Sequence, residues 1–277
     1  MIWAPVMGRQ RTAYDAGMAT AQTQPHPGGA RRRLLVTGAG RGIGRAVALM
    51  AAQRGWDVAL NYARDAAAAE RTAADVRAAG AQALLLPADV ADDAAVVAMF
   101  AALDAAWGGL DGLVNNAGVV DVAQRVDEYS AARVQRMFAI NVFGSFSCAR
   151  EAVRRMSTRH GGRGGAIVNI GSVASKLGSA GQYVDYAAAK GAIDVFTVGL
   201  SREVAAEGVR VNAVRPGITD TEIHASGGEP DRAWRLAPQI PMQRPGTADE
   251  VAEAVLWLLS DAAAYTTGAL LDVTGGR

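Results

Sequence analysis

Residues 183–190 read YVDYAAAK, two phenols and one ammonium in a single alanine-rich stretch. If the stretch is helical, Tyr186 and Lys190 stand four apart on one face, with a rise of about 6 Å between them. Tyr183 stands seven from the lysine, about 10.5 Å along the axis, so one ammonium cannot serve both hydroxyls. An ammonium beside a phenol favours the phenolate and lowers its pKa, at about 1.4 kcal/mol per unit. The spacing therefore selects Tyr186 as an acid–base group and leaves Tyr183 as a wall or packing residue. Ser172 closes the apolar run GAIVNIGS shortly before. A hydroxyl there, beside a phenol, could hold a substrate oxygen, which makes Ser172, Tyr183 and Tyr186 the candidate substrate-pocket residues. His26, His160 and His224 are scattered through loop-like segments and form neither an acyl-transfer triad nor a metal cluster, so no metal site is expected.

A single tyrosine–lysine pair is most often a helix surface, and its weight depends on what positions it. From Arg33 onward, short apolar runs alternate with helical patterns. RLLVTGAG, WDVALNY, QALLLPADV, LDGLVNNAG, GAIVNIGS, VRVNAVRPG and GALLDVTGG read as seven strands. RGIGRAVALMAAQRG and DAAAAERTAADVRAAG read as helices stopped by Gly55 and Gly80, and TADEVAEAVLWLLS opens on a capping box between Thr247 and Glu250. Apolar strands alternating with helices imply a parallel sheet covered on both faces. The expected fold is a single-domain, Rossmann-like, doubly wound α/β sheet over residues 33–277. Ligands of such sheets bind beyond the carboxyl ends of the strands, where the glycines, NNAG, IGS and RPG all fall. The least patterned stretch, 217–246, is the candidate substrate loop.

The first strand ends in TGAGRGIG, a T-G-x-x-x-G-x-G pattern over Thr37, Gly38, Arg41, Gly42, Ile43 and Gly44. At a strand-to-helix turn, glycines permit a tight path, and the helix N-terminus offers N–H groups to a pyrophosphate. An acidic residue at the end of the second strand would favour NAD; that region reads NYARD, with Asn61 near the expected place. Without a carboxylate there, Arg41 and Arg64 could contact a 2′-phosphate, although Asp65 could instead compensate one of them. NADP(H) is favoured, with NAD the alternative. Asp89 and Val90 close the third strand, where Asp89 could accept from an adenine amine or cap a helix. Asn116, Ala117 and Gly118 close the fourth, where small residues let backbone approach a cofactor, and Asn115 could tie neighbouring strands.

The composition narrows the classes. Half of the 277 residues are hydrophobic, and 28 basic against 27 acidic side chains leave a net charge of +1, which gives no sign of a nucleic-acid partner. No apolar run approaches the length that spans a bilayer, so no membrane partner is expected. The single cysteine, Cys148, excludes an intrachain disulfide, reads as a buried helical thiol, and points to a reducing, cytoplasmic compartment. Residues 1–32 read as a disordered extension or an over-long start, with a transit peptide as the alternative.

Taken together, the glycine turn at Thr37–Gly44, NNAG, Asn141 within INVFG, Ser172, Tyr186 with Lys190, and RPG followed by Thr219 resemble the short-chain dehydrogenase/reductase family. The motifs run in family order over nearly all of 33–277. The resemblance implies that Tyr186 is the general acid for carbonyl reduction or the base for alcohol oxidation. It also implies that Lys190 lowers the pKa of Tyr186 and binds the nicotinamide ribose, that Ser172 orients the substrate oxygen, and that Asn141 maintains a water-linked relay to Lys190. Pro216, Gly217 and Thr219 would shape the nicotinamide site, and the chain would form a homotetramer, or a dimer, with late helices and the terminal strand in interfaces.

Two departures stand out. The Ser172–Tyr186 spacing is slightly long, which implies a longer connecting loop. Thr274 stands where an aspartate often precedes the paired glycines, which puts terminal contacts in question.

Within the family the chain looks most like acyl-carrier-protein ketoreductases and glucose dehydrogenase-like members, acting on a small or medium carbonyl/alcohol pair. The alternatives are a catalytically silent dinucleotide sensor or scaffold and a nicotinamide-retaining isomerase or dehydratase. Leu177, Tyr183, Ile223 and Trp234 are candidate apolar walls or simple packing. His224 reads as a solvent-facing loop residue that could otherwise meet a polar substrate group.

Overall fold

The computed structural model describes residues 31–277, so the reading of the leader falls almost wholly outside the described residues. Seven strands form one parallel sheet in the order β3-β2-β1-β4-β5-β6-β7. They are β1 (Arg32–Val36), β2 (Trp56–Tyr62), β3 (Ala83–Pro87), β4 (Gly112–Asn115), β5 (Gly165–Ile170), β6 (Val209–Pro216) and β7 (Leu270–Val273). The expected strands are all present. Arg32 opens β1, and Arg31 before it pairs with Asp57.

The helices are α1 (Gly42–Gln53), α2 (Ala66–Ala78), α3 (Asp93–Trp107), α4 (Ala131–Phe138), α5 (Gly144–Met156), α6 (Ala174–Leu177), α7 (Val184–Val204), α8 (Ile223–Ser226), α9 (Arg232–Leu236) and α10 (Ala248–Leu259). One hydrophobic core joins α1 and α10 to one face of the sheet through Leu34, Val58, Val114, Val168 and Leu256. A second joins α3 and α5 to the other face through Leu35, Phe100, Leu113, Cys148 and Ile167. Apolar strands buried on both faces are the reason the runs showed no alternation. Thr247 and Glu250 form the expected capping box at α10. Asn115 bridges β4 and β5 through Asn169 Oδ1 at 2.9 Å, the strand tie foreseen for it.

The order reverses between β1 and β4. Beyond their carboxyl ends a cleft opens, of the kind doubly wound sheets use for ligands. The stretch 217–246, unpatterned in sequence, folds over that cleft as α8, α9 and their turns.

Candidate active site

The cleft has a volume of about 740 Å³ and runs from the glycine turn to α7. At its first end, the α1 N-terminus has no side-chain cap and no acidic residue in its first turn. Its N–H groups and dipole are thus left for an anion, which fits a pyrophosphate. Gly38, Arg41, Gly42 and Ile43 line this end. Gly44 does not: a Cβ there would come within 2.4 Å of the Gly38 carbonyl oxygen and 2.5 Å of Asn116 Nδ2, so its role is close packing of the turn. Thr37 also stands behind the wall, its hydroxyl accepting from the Asn116 and Ala117 N–H groups at 2.9 Å each. Asn116 Nδ2 donates to the Thr37 and Gly38 carbonyls. The turn and NNAG are thereby locked together, while Asn116, Ala117 and Gly118 also line the cleft.

Asn61 is buried, and its amide donates to the Leu86 and Ala88 carbonyls while its oxygen accepts from Gly38 N–H. It staples the glycine turn to β3. Arg41 and Arg64 are exposed and both line the cleft. Asp65 neutralises neither by way of its cap: its carboxylate accepts from Ala68 N–H as the N-cap of α2. Asp89 accepts from Ala91 N–H in a local turn, and Asp92 is the residue that caps α3. Asp89 and Val90 both border the cleft.

At the other end, Ser172, Tyr186 and Lys190 converge, with Pro216, Gly217 and Thr219 beside them. Tyr186 and Lys190 lie in α7, as their spacing required. Tyr183 lies outside it, as the N-cap residue preceding Val184. The helical-rise argument thus applies to Tyr186 alone, and Tyr183 remains a wall. Lys190 is buried and its Nζ donates to the Ile170 carbonyl at 2.7 Å. Burial depresses its pKa to about 8, against an opposing pull from Asp194.

The electrostatics of Tyr186 correct one expectation. Burial pushes the phenol above its usual value, and the Ser172 hydroxyl opposes this. The Lys190 ammonium is held on the Ile170 carbonyl and lies 5.6 Å from the centroid of the Tyr186 ring.

Asn141 is fully buried in a π-helical turn, Ala139–Phe143, between α4 and α5. Its amide donates to the Val119 and Met137 carbonyls, and its oxygen accepts from Val119 N–H. A Cβ on Gly118 would lie 2.8 Å from Asn141 Oδ1 and 3.7 Å from Lys190 Nζ. Asn141 therefore stands one layer behind the cleft, close under Lys190. The longer Ser172–Tyr186 connection is accommodated by α6 and by left-handed residues at Gly178, Ser179 and Gly181. Thr274 packs against Gly217, so the terminal segment still buttresses the end of β6.

Several residues about the substrate end carry no sequence motif. Tyr183 Oη donates to Glu229 Oε1 at 3.1 Å, and Arg232 stacks over the Tyr183 ring while donating to Gln182. Contacts between segments so far apart leave no local spacing to read. Leu177 and Ile223 line the cleft, but Trp234 does not; it is 62% exposed and donates to Asp220. His224 departs from the solvent-facing reading. Helix α8 turns it inward, half-buried, 2.9 Å from the Thr219 carbonyl, and burial lowers its pKa. No metal-binding group of side chains occurs among the described residues.

A family model described as enoyl-(acyl carrier protein) reductase matches residues 38–277. The chain is 55% identical over 243 residues to the uncharacterized oxidoreductase YgfF of Escherichia coli, covering 88% of this chain and 98% of that one. It is 37% identical to the 3-oxoacyl-[acyl-carrier-protein] reductase FabG of Staphylococcus aureus, covering 87% and 96%. A short chain dehydrogenase from Burkholderia cenocepacia, solved in complex with NADP, superposes with a TM-score of 0.81 at 33% identity, covering 88% of this chain and 97% of that one. The chain belongs to the short-chain dehydrogenase/reductase family. It is an NAD(P)-dependent oxidoreductase of the class acting on alcohol and carbonyl groups.

Proposed function

We propose that this protein reduces a small or medium carbonyl compound with NADPH, Tyr186 donating the proton. The reading is carried by one observation: the open N-terminus of α1 and the Ser172–Tyr186–Lys190 group line the two ends of the same cleft. The nicotinamide, when bound, supplies the hydride. Carbonyl, hydride and one proton together give the alcohol. Ser172 holds the substrate oxygen, and Tyr186, whose burial keeps the phenol protonated at neutral pH, transfers its proton to that oxygen. Lys190 would bind the ribose and, with Asn141 beneath it, return a proton to the phenol. Val90, Ala117, Gly118, Pro216, Gly217 and Thr219 line the cleft and would hold the cofactor along it.

Arg41 and Arg64, with no carboxylate at the end of β2, support NADP over NAD, as does the NADP complex of the Burkholderia relative. A homotetramer is supported by exposed apolar side chains at Phe143, just before α5, and on α5, α7 and α10: Phe146, Val195 and Trp257. No described helix is long and apolar enough to cross a membrane. A cytoplasmic location accords with that and with the free, buried Cys148.

The test is a panel of ketones, aldehydes and alcohols offered with NADPH and NADH in parallel, for wild type and Tyr186→Phe. The variant is expected to lose turnover by at least about a hundredfold while binding NADPH normally. Near-wild-type turnover by a folded Tyr186→Phe protein would remove the tyrosine from the mechanism. Cofactor binding without turnover across the panel would favour a silent sensor instead.

A further inference from the structure

The charges lining the cleft are divided unevenly. Its carboxylates, Asp65, Asp89 and Glu222, all sit at the cofactor end: after β2, after β3 and against Gly42. The substrate end is lined by Lys190, Arg232 and Arg277, with no acidic side chain among the lining residues there. Glu229, behind Tyr183, lies 3.8 Å from Arg232 and also pairs with Arg235, so it tempers Arg232 alone. A cleft end walled by cations of one sign raises the local concentration of anions.

Arg277 is the distinctive member. Its Nη1 is buried and has no hydrogen-bond partner among the described residues. A guanidinium N–H without an acceptor is costly, and such groups are rare unless something completes them. The residue's place follows from its neighbours. Gly217 N–H bonds Val273, Met242 N–H bonds Gly275, and Val173 N–H bonds Pro216. The segment after β7 therefore runs beside the ends of β5 and β6, the half of the sheet that presents Ser172, and away from the pyrophosphate end.

We propose that the physiological substrate carries an anionic group, a carboxylate or an oxyanion of similar size, which docks on the Arg277 guanidinium while its carbonyl faces Ser172 and Tyr186. This rests on the reductase reading above and assigns its substrate class: an oxo-acid reduced to a hydroxy-acid. A planar fork of N–H donors suits a carboxylate in bidentate geometry, and an anion would give the buried Nη1 its acceptor. Arg232, stacked on Tyr183, adds long-range attraction without needing to touch the ligand.

The experiment measures NADPH-dependent turnover of a series of oxo-acids of increasing length, each paired with its methyl ester and primary amide. The acid is expected to exceed its ester by about tenfold or more in kcat/KM, mostly through KM, with the advantage shrinking at high salt. In Arg277→Met the acid-to-ester ratio should fall by about tenfold, and Arg277→Lys should recover part of it. NADPH titration of each variant, followed by fluorescence, reports on its fold and cofactor site.

Esters turned over as well as acids throughout the series would overturn the proposal and leave the reductase reading standing. So would an Arg277→Met variant that binds NADPH and lowers acid and ester by the same factor. No turnover of acids, esters or amides by the wild type would sink both.

Discussion

Arg133 and Asp185 form a buried ion pair immediately before the candidate acid–base tyrosine. Arg133 Nε lies 2.8 Å from Asp185 Oδ2, with the two side chains 6% and 2% exposed. Asp185 Oδ1 accepts from Tyr186 N–H at 2.9 Å. Arg133 also donates to the Val122 carbonyl and Gln124, and lies 4.0 Å over the Tyr129 ring. The pair thus ties α4, the loop after β4 and the first turn of α7 into one unit around Tyr186.

Removing one partner leaves the other charge buried and unpaired. Arg133→Met is therefore expected to cost about 3–5 kcal/mol of stability, read by urea denaturation. With NADPH saturating, kcat should fall more than the cofactor affinity does, because the loss is felt at the start of α7 rather than at the glycine turn. A variant with wild-type stability would show that the pair is dispensable.

Cofactor choice gives a second prediction. Arg41 and Arg64 are the exposed cations at the cofactor end of the cleft, and Arg41 is lightly held by Ser226 at 3.2 Å. Replacing either with alanine should lower the NADPH-over-NADH ratio of kcat/KM by about tenfold, as expected for a lost charge-assisted phosphate contact. Steady-state kinetics with both cofactors checks this. An unchanged ratio in the double variant would remove the arginines from recognition of a 2′-phosphate.

The strands and their order of appearance were legible because strands buried on both faces read as unbroken apolar runs. The site was legible where one element supplies the spacing, as with Tyr186 and Lys190 on α7, or where a turn needs glycine. The cap on α10 was readable for the same local reason. Contacts between distant segments were not. Tyr183 with Glu229, Arg133 with Asp185, and Arg277 at the cleft wall each depend on how the chain returns. The stretch 217–246 hid two short helices because neither is long enough to establish a period. The direction of the Tyr186 shift also escaped the sequence, since a four-residue spacing fixes a shared face but not how deeply the phenol is buried.

The glycine turn supplies a third test. Gly44→Ala would place a methyl group 2.4 Å from the Gly38 carbonyl oxygen and 2.5 Å from Asn116 Nδ2, atoms that join the turn to the end of β4. Overpacking of this kind typically costs about 1–3 kcal/mol. The variant should melt several degrees below wild type and bind NADPH about tenfold more weakly, since the turn must shift to admit the methyl. Thermal melts with and without NADPH measure both. Unaltered melting and affinity would mean the turn is looser than its packing indicates.

Lys190 gives a prediction in pH. The folded protein releases its proton near 8, whereas the ordinary lysine value is 10.5, because burial disfavours the charge. Between those values the unfolded chain binds more protons, so this residue makes stability rise with pH across that window, and its penalty is full below it. A shift of that size corresponds to about 3 kcal/mol. Lys190→Met carries no such titration. Its stability relative to wild type should therefore decline by about 3 kcal/mol on going from neutral pH to 10.5, whatever the fixed cost of losing the Ile170 hydrogen bond. Urea denaturation of both proteins across that range gives the difference directly. A difference that does not vary with pH would mean that Lys190 titrates alike in the folded and unfolded chain.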